Sequence, residues 1–235
     1  MDSLALARTY LDLTTPHVAD ACMRLGITVR IAPAAMRPLW RGTHVVGRVC
    51  PARHYGSVDV FLEAIDTAER GDVLVVDNGG RMDEACVGDL VTLEANNAGL
   101  SGVVIWGLHR DTTELNTIRL PMFSLGALPV GPQRLDTREP CALASAVCGE
   151  HLLSAEDFVL GDDDGIMFMP LCRAAEVAEV ATAIRDTERY QAARMRLGKS
   201  FREQAHFQTY LHARQADPEL TFRQHLRAFG GEIEE

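Results

Sequence analysis

Lysine is almost missing from this chain of 235 residues: among 23 basic residues only Lys199 carries an amine. Any chemistry through a Schiff-base lysine would have to use that one residue, which lies in a polar, arginine-rich segment. The six cysteines (22, 50, 86, 141, 148 and 172) include no C-x-x-C pair. In a chain of this size they read as reduced, mostly buried thiols of a cytoplasmic protein. The eight histidines show no H-x-x-H or H-x-x-x-H spacing, which argues against a histidine zinc site. Long apolar runs are also lacking. "VLVVD" and "GVVIW" are strand-length, far short of the ~20 residues of a membrane span, and the opening "MDSLALARTYLDL" has no basic region followed by an apolar stretch. No membrane partner is expected.

Positive charge is short too. The net charge is −10, and residues 173–235 are balanced, so the excess acid lies in residues 1–172. An acidic body argues against nucleic acid as a partner, because binding phosphates takes a basic face.

What the chain does contain is a regular alternation of elements. A hydrophobic content of 47% supports one full core plus an appendage. "TTPHVADACMRLG" reads as a helix with Thr15 as cap, Pro16 in its first turn and Gly26 as its stop. "RGTHVVGRVCPA" reads as a strand or hairpin region, and "SVDVFLEAIDTAERG" as an amphipathic helix from Ser57 to Gly71. The most regular part follows. "DVLVVD" (72–77) is a buried strand, "NGGRMDEACVGD" a glycine-containing loop, "GDLVTLEANNAG" a helix ending at Gly99, and "GVVIW" (102–106) a second strand. "PMFSLG" adds a strand, and "EDFVLGDDDGIMFMP" a hairpin turning at Gly161–Gly165. From Arg173 the pattern becomes helical and charged, predicting two or three helices. The expected fold class is α/β with parallel βαβ units: one main domain over 1–172 and a C-terminal helical extension over 173–235.

In a parallel βαβ unit the first strand's end, the helix start and the second strand's end share one edge. A ten-residue helix runs back about 15 Å and a five-residue strand returns about 17 Å, which brings Gly88 and Asp89 close to Arg110 and Asp111. Ligands of open α/β sheets sit at this edge. The helix start offers unpaired N–H groups suited to a carboxylate. Arg110 adds a planar cationic fork, Asp111 a hard oxygen ligand for Mg²⁺ or Mn²⁺, and Asp89 a base or water-orienting group. The competing reading is plain: Arg110 pairs with a neighbouring aspartate, and Asp89 only caps its helix.

Two apparent motifs are accidental. His109, Arg110, Asp111 and Asn116 have the H-R-D-x-x-x-x-N spacing of a kinase catalytic loop, but no glycine-rich loop or upstream lysine accompanies them. "LGKS" at 197–200 lacks the first P-loop glycine, since position 193 is Ala.

At these residues the sequence resembles the RraA-like family of 4-hydroxy-4-methyl-2-oxoglutarate aldolases and regulators of ribonuclease E activity. The resemblance covers roughly residues 15–172, through "VADACMRLG", "GDVLVVDNGGR", "GDLVTLEANNAGLSGVVIWG" and "GDDDGIMFMP". Its most specific element is D-x20-R-D, met by Asp89 and Arg110-Asp111. The resemblance implies a swivelling β/β/α domain in a homotrimer or homohexamer and a metal-dependent pyruvate aldolase acting on a small 2-oxo acid, with oxaloacetate decarboxylation as a side activity. Gly88, Asp89, Leu90 and Val91 would hold the substrate through backbone N–H groups. Arg110 would bind the pyruvoyl part and stabilise its enolate, Asp111 would bind Mg²⁺ or another divalent cation, and Asp89 would position the water that moves protons. Where many members carry an acidic or amide residue ahead of the glycine leading into R-D, this chain has Trp106.

The alternative function is a non-catalytic regulator that binds a ribonuclease or another protein. The C-terminal helices are expected to form a packing or oligomer face rather than to lend Glu176, Glu179, Glu188 or Glu203 to a neighbour's site. Asp162, Asp163 and Asp164 read as a turn, His109 as an exposed loop residue, and Asn78–Arg81 equally as a pocket lining or a flexible loop.

Overall fold

The computed structural model describes residues 1–228. Helices α1 (Ser3–Thr9) and α2 (Thr15–Arg24) precede the short strands β1 (Arg30–Ile31) and β2 (Arg37–Pro38). The long strand β3 (Val45–Arg53) leads into α3 (Asp59–Thr67), β4 (Val73–Asp77), β5 (Ala85–Val87) and α4 (Asp89–Ala98). Next come β6 (Gly102–Trp106), β7 (Leu108–His109), α5 (Thr112–Ile118) and β8 (Met122–Ser124). Two hairpins follow, β9 (Ala146–Cys148) with β10 (His151–Leu153) and β11 (Asp157–Asp162) with β12 (Gly165–Pro170). Helices α6 (Ala174–Arg196), α7 (Phe201–Gln204), α8 (Phe207–Ala216) and α9 (Phe222–Ala228) complete the described chain.

Eight strands form one curled sheet in the order β1-β12-β11-β3-β4-β6-β8-β2. Its middle, β3-β4-β6-β8, is parallel, and each step is made by a helical crossover through α3, α4 or α5. Every residue of β4 is buried, as expected for a parallel strand covered on both faces. Alternate residues therefore divide between two cores. Leu74, Val76, Val103 and Ile105 meet Phe61, Val91 and Leu115 of the crossover helices. Val73, Val75 and Val104 point the other way, onto Phe123, Phe168 and Leu153 inside the curl. A third core lies beyond the antiparallel half, where Phe158, Leu160 and Met167 pack against Leu6, Val18, Val177 and Ile184 of α1, α2 and α6. This is the α/β class with parallel βαβ units that the sequence pattern predicts.

Several local expectations shift. The cap of α2 is Thr14, whose N–H donates to His17 Nδ1 at 3.2 Å, while Thr15 is already helical. Thr15 instead gives its N–H and hydroxyl to the buried Asp162 carboxylate, both at 2.7 Å. Asp162 thus ties the hairpin to α2, and the turn itself narrows to Asp162–Gly165. Helix α3 is shorter than its pattern, starting at Asp59 and stopping at Thr67. The apolar pattern from Lys199 to Gln215 reads as one helix but is broken at His206, which sits left-handed at φ 48°. The described tail therefore carries four helices after residue 173, one more than the sequence pattern suggests.

Four cysteines (22, 50, 86 and 148) are buried and two (141 and 172) exposed, all as free thiols. Burial pushes Cys50 and Cys148 up to about 12, so neither forms thiolate near neutral pH. Among the described residues no helix is long and apolar enough to cross a membrane.

Candidate active site

The segment read as a loop between β4 and α4 contains β5, and "GLH" supplies β7; these two pair in parallel, Ala85 with Leu108 and Val87 with His109. The register shifts by one residue between these pairs, and the two chains still run on side by side, so Gly88–Asp89 and Arg110–Asp111 emerge together. The Arg110 N–H donates to Val87 O at 3.0 Å, which continues the ladder. The Asp89 N–H lies 3.3 Å from Asp111 Oδ2, and Arg110 Nε lies 3.4 Å from the same oxygen. A Cβ on Gly88 would fall 2.2 Å from Asp111 Oδ2, so only glycine permits this approach. Asp111 itself adopts the left-handed region at φ 60°, ψ 40°, which aspartate tolerates better than most residues.

A cleft of about 200 Å³ opens at this corner. Its lining includes Gly88, Asp89, Leu90 and Val91, the Arg110 side chain, Pro132 and the buried His54. At the start of α4, the Leu90 N–H donates to Asp89 Oδ1 at 2.8 Å. The Val91 N–H has no acceptor among the described residues. The positive end of a ten-residue helix and a half-exposed guanidinium therefore face one small space, an arrangement suited to a carboxylate. The plain ion pair of Arg110 and Asp111 is present as well, at a long distance and half exposed. Such a pair contributes only about 0–1 kcal/mol, which leaves both groups easily recruited by a ligand.

Beside His54 lies a buried polar cluster in which the sequence pointed only to Asn78. Glu84, only 4% exposed, accepts from Arg134 Nε at 3.0 Å and Nη2 at 2.9 Å. Arg134 Nη2 also donates to Asn78 Oδ1 at 3.0 Å, and His54 Nδ1 lies 2.8 Å from the same oxygen. Because arginine can only donate, the Asn78 oxygen is the acceptor, and His54 must hold its proton on Nδ1. Burial, the largest cause, lowers the His54 pKa and keeps the ring neutral. Its one visible sequence signal was membership among eight scattered histidines.

Asn78, Gly79 and Arg81 line a second, open cleft of about 580 Å³ at the ends of β3, β4 and β6. Trp106 belongs to this neighbouring cleft and not to the lining of the cleft beside Asp89 and Arg110; its ring covers Gly80, where a Cβ would fall 2.6 Å from it. His109 is corrected from exposed to buried, at 3% exposure. Its Nδ1 lies 2.7 Å from Ser124 Oγ and its Nε2 3.3 Å from Thr112 Oγ1, which bolts the Arg110–Asp111 corner to β8 and α5. Three of the four tail glutamates have local partners: Glu176 with Arg173, Glu188 with His17, and Glu203 with Ser200.

A cationic fork, the free Val91 N–H and a hard carboxylate lie around one cleft at the carboxyl edge of a parallel sheet, a combination suited to a small anion. The chain belongs to the RraA-like family, described as Aldolase/RraA, which it matches over residues 15–168. Protein DlpA of Legionella pneumophila is 27% identical over 193 residues, a match covering 78% of this chain and 30% of that protein. A protein of Alcanivorax borkumensis named "Putative 4-hydroxy-4-methyl-2-oxoglutarate aldolase" is 32% identical over 108 residues, 46% of this chain and 66% of that one. The match thus spans less than a third of DlpA and just under two thirds of the Alcanivorax protein. Among solved structures, an uncharacterized protein from Pseudomonas syringae pv. tomato superposes with a TM-score of 0.73 at 26% identity, covering 86% of this chain and 96% of that one.

Proposed function

We propose that this protein is a divalent-metal-dependent lyase that cleaves a 4-hydroxy-2-oxo acid to pyruvate and a second carbonyl compound. The observation that carries the reading is the meeting of Gly88–Asp89 with Arg110–Asp111 on one cleft, in a chain of this family. The relatives named as aldolases support it.

Among the described residues no group of three or more histidine, cysteine or acidic side chains is arranged to hold an ion, so a closed protein cage and a zinc site are both poor fits. Mg²⁺ needs less: one or two carboxylates, with water and substrate oxygens completing its shell. Asp111, partly exposed and held only by long contacts, fits that mode. A bound ion of this kind supplies Lewis-acid polarisation of the 2-oxo group.

This chain's residues supply the rest. The Arg110 fork receives the substrate carboxylate, with the N–H groups at the start of α4 directed to the same pole of charge. As the bond between C3 and C4 breaks, negative charge moves onto the oxygen at C2, and the fixed cation of Arg110 stabilises it. Asp89, partly buried at the cleft edge, is the base that takes the C4 hydroxyl proton through water, and the same proton returns to C3. Neutral, buried His54 and the apolar Val91 and Pro132 limit water in the cleft. The apolar rim also favours assembly: Val58 and Leu90 line the cleft, and Leu62 and Leu93, one turn further along the same helices, are exposed. We read this rim as the face on which copies of the chain meet in a homotrimer or homohexamer.

Pyruvate release from a panel of 2-oxo acids, coupled to lactate dehydrogenase with and without EDTA, tests the reading. Activity is expected to need the metal and to collapse in Asp111→Ala while the fold persists. Absence of metal-dependent pyruvate from every substrate would overturn it.

A further inference from the structure

Arg110 is held between two glycines. On one side, a Cβ at Gly88 would lie 3.2 Å from Arg110 Cγ and 3.3 Å from its Nε, so this glycine flanks the stem of the side chain. On the other, a Cβ at Gly131 would lie 2.8 Å from Arg110 Nη1 and 3.7 Å from Cζ, and would meet nothing else within 4 Å. Gly131 belongs to the irregular segment between β8 and β9, whose neighbouring Pro132 lines the cleft.

That segment cannot simply retreat from the arginine. Immediately before Gly131, the Val130 carbonyl accepts the Ala85 N–H at 2.8 Å. Two residues after Pro132, Arg134 is clamped to the buried Glu84 through Nε and Nη2. Two successive residues at the start of β5 thus pin the strap on both sides of Gly131. Arg110, by contrast, is a half-exposed side chain with free torsions. If a side chain were added at 131, the guanidinium is the part that would move.

We propose that Gly131 is a positioning residue for Arg110: its missing side chain is the space in which the guanidinium head is held facing the cleft. The strap of residues 130–134 acts as the wall that fixes where a ligand carboxylate is received. This rests on reading Arg110 as the carboxylate-binding group. The mechanism is steric. An added methyl must push Nη1 outward by several tenths of an ångström to reach ordinary contact, and misplacements approaching 1 Å cost as much as ~100-fold in a positioned site. The backbone of Gly131 does not lie in the left-handed region, so alanine is accepted there without strain in the chain itself.

The test compares wild type, Gly131→Ala, Arg110→Ala, the double variant and Leu152→Ala, the last as an exposed control outside the strap and the cleft. Oxalate binding is measured by calorimetry in magnesium-containing buffer, thermal unfolding is followed alongside, and KM and kcat are taken on any 2-oxo acid that turns over. Gly131→Ala is expected to weaken oxalate about tenfold or more and to raise KM more than it lowers kcat. Its unfolding midpoint stays with wild type. In the double variant the glycine substitution adds nothing to the loss from Arg110→Ala, because it acts through that residue. Wild-type affinity in Gly131→Ala, or additive losses in the double variant, would overturn the proposal. So would failure of wild type to bind oxalate. If oxalate binds and responds as expected while no 2-oxo acid is cleaved, the lyase reading fails and the positioning role stands.

Discussion

Deleting the carboxylate of Glu84 is expected to be the most damaging single change near the cleft. Glu84→Ala removes both hydrogen bonds that Arg134 makes to a buried acceptor. It also removes the carboxylate 3.5 Å from Arg81 Nε and 3.9 Å from His54 Nδ1. Breaking a buried pair from one side costs about 3–5 kcal/mol, because the surviving charge stays out of water. Arg134 is 18% exposed and keeps the more exposed Asp136 as a second partner, which places the loss near the lower end, about 3 kcal/mol. For a chain of this length that corresponds to a fall in Tm of roughly 6–12 °C. Glu84→Gln, which keeps an acceptor oxygen and the shape, should lose roughly 1–2 kcal/mol. Removing both partners together should cost less than the two single changes summed. Urea and thermal unfolding at neutral pH measure all three. A Glu84→Ala protein within about 0.5 kcal/mol of wild type would refute the argument that this pair is a closed, desolvated unit.

Two other perturbations follow from the buried polar groups. Burial holds His54 and His109 below the ordinary histidine value of 6.5, so the unfolded chain takes up protons there that the folded chain refuses. Their contribution to stability is therefore complete above that pH and is lost as pH falls below it, at up to about 1.4 kcal/mol per pH unit for each. Unfolding of wild type and His109→Asn between about pH 7 and pH 5 should show a shallower acid slope in the variant, and equal slopes would contradict this. Thr15→Val removes the hydroxyl donor to the buried Asp162 and should cost about 1.5–3 kcal/mol in urea unfolding, as for other hydrogen bonds to a charged group. An unchanged midpoint would show that solvent replaces the lost bond.

The long elements were legible because their periodicity is strong. Every core residue of β4 and β6, and the Gly99 stop of α4, follows from pattern and turn chemistry alone. The approach of Asp89 to Arg110–Asp111 was also legible, although for an incomplete reason. Helix and strand lengths bring them to one edge, but the three-residue β5 and two-residue β7 set their register, and such short strands carry no readable period. His109 was misplaced because a histidine after a strand looks like a loop residue until its neighbours Ser124 and Thr112 fold around it. The His54–Asn78–Arg134–Glu84 cluster joins residues 24 to 56 positions apart, and no spacing announces such a contact. Trp106 was placed at the correct strand end, yet the pleat sends its ring toward Gly80 and the neighbouring cleft.

The clasp between Thr15 and Asp162 also makes this unit portable. The region matched to the family starts at Thr15 and stops at Phe168, in the strand that returns from the Asp162–Gly165 turn. Its entrance and exit therefore lie beside each other, on helix and hairpin elements that pack together. A folded unit whose two ends meet can be spliced into a longer polypeptide without stretching either junction.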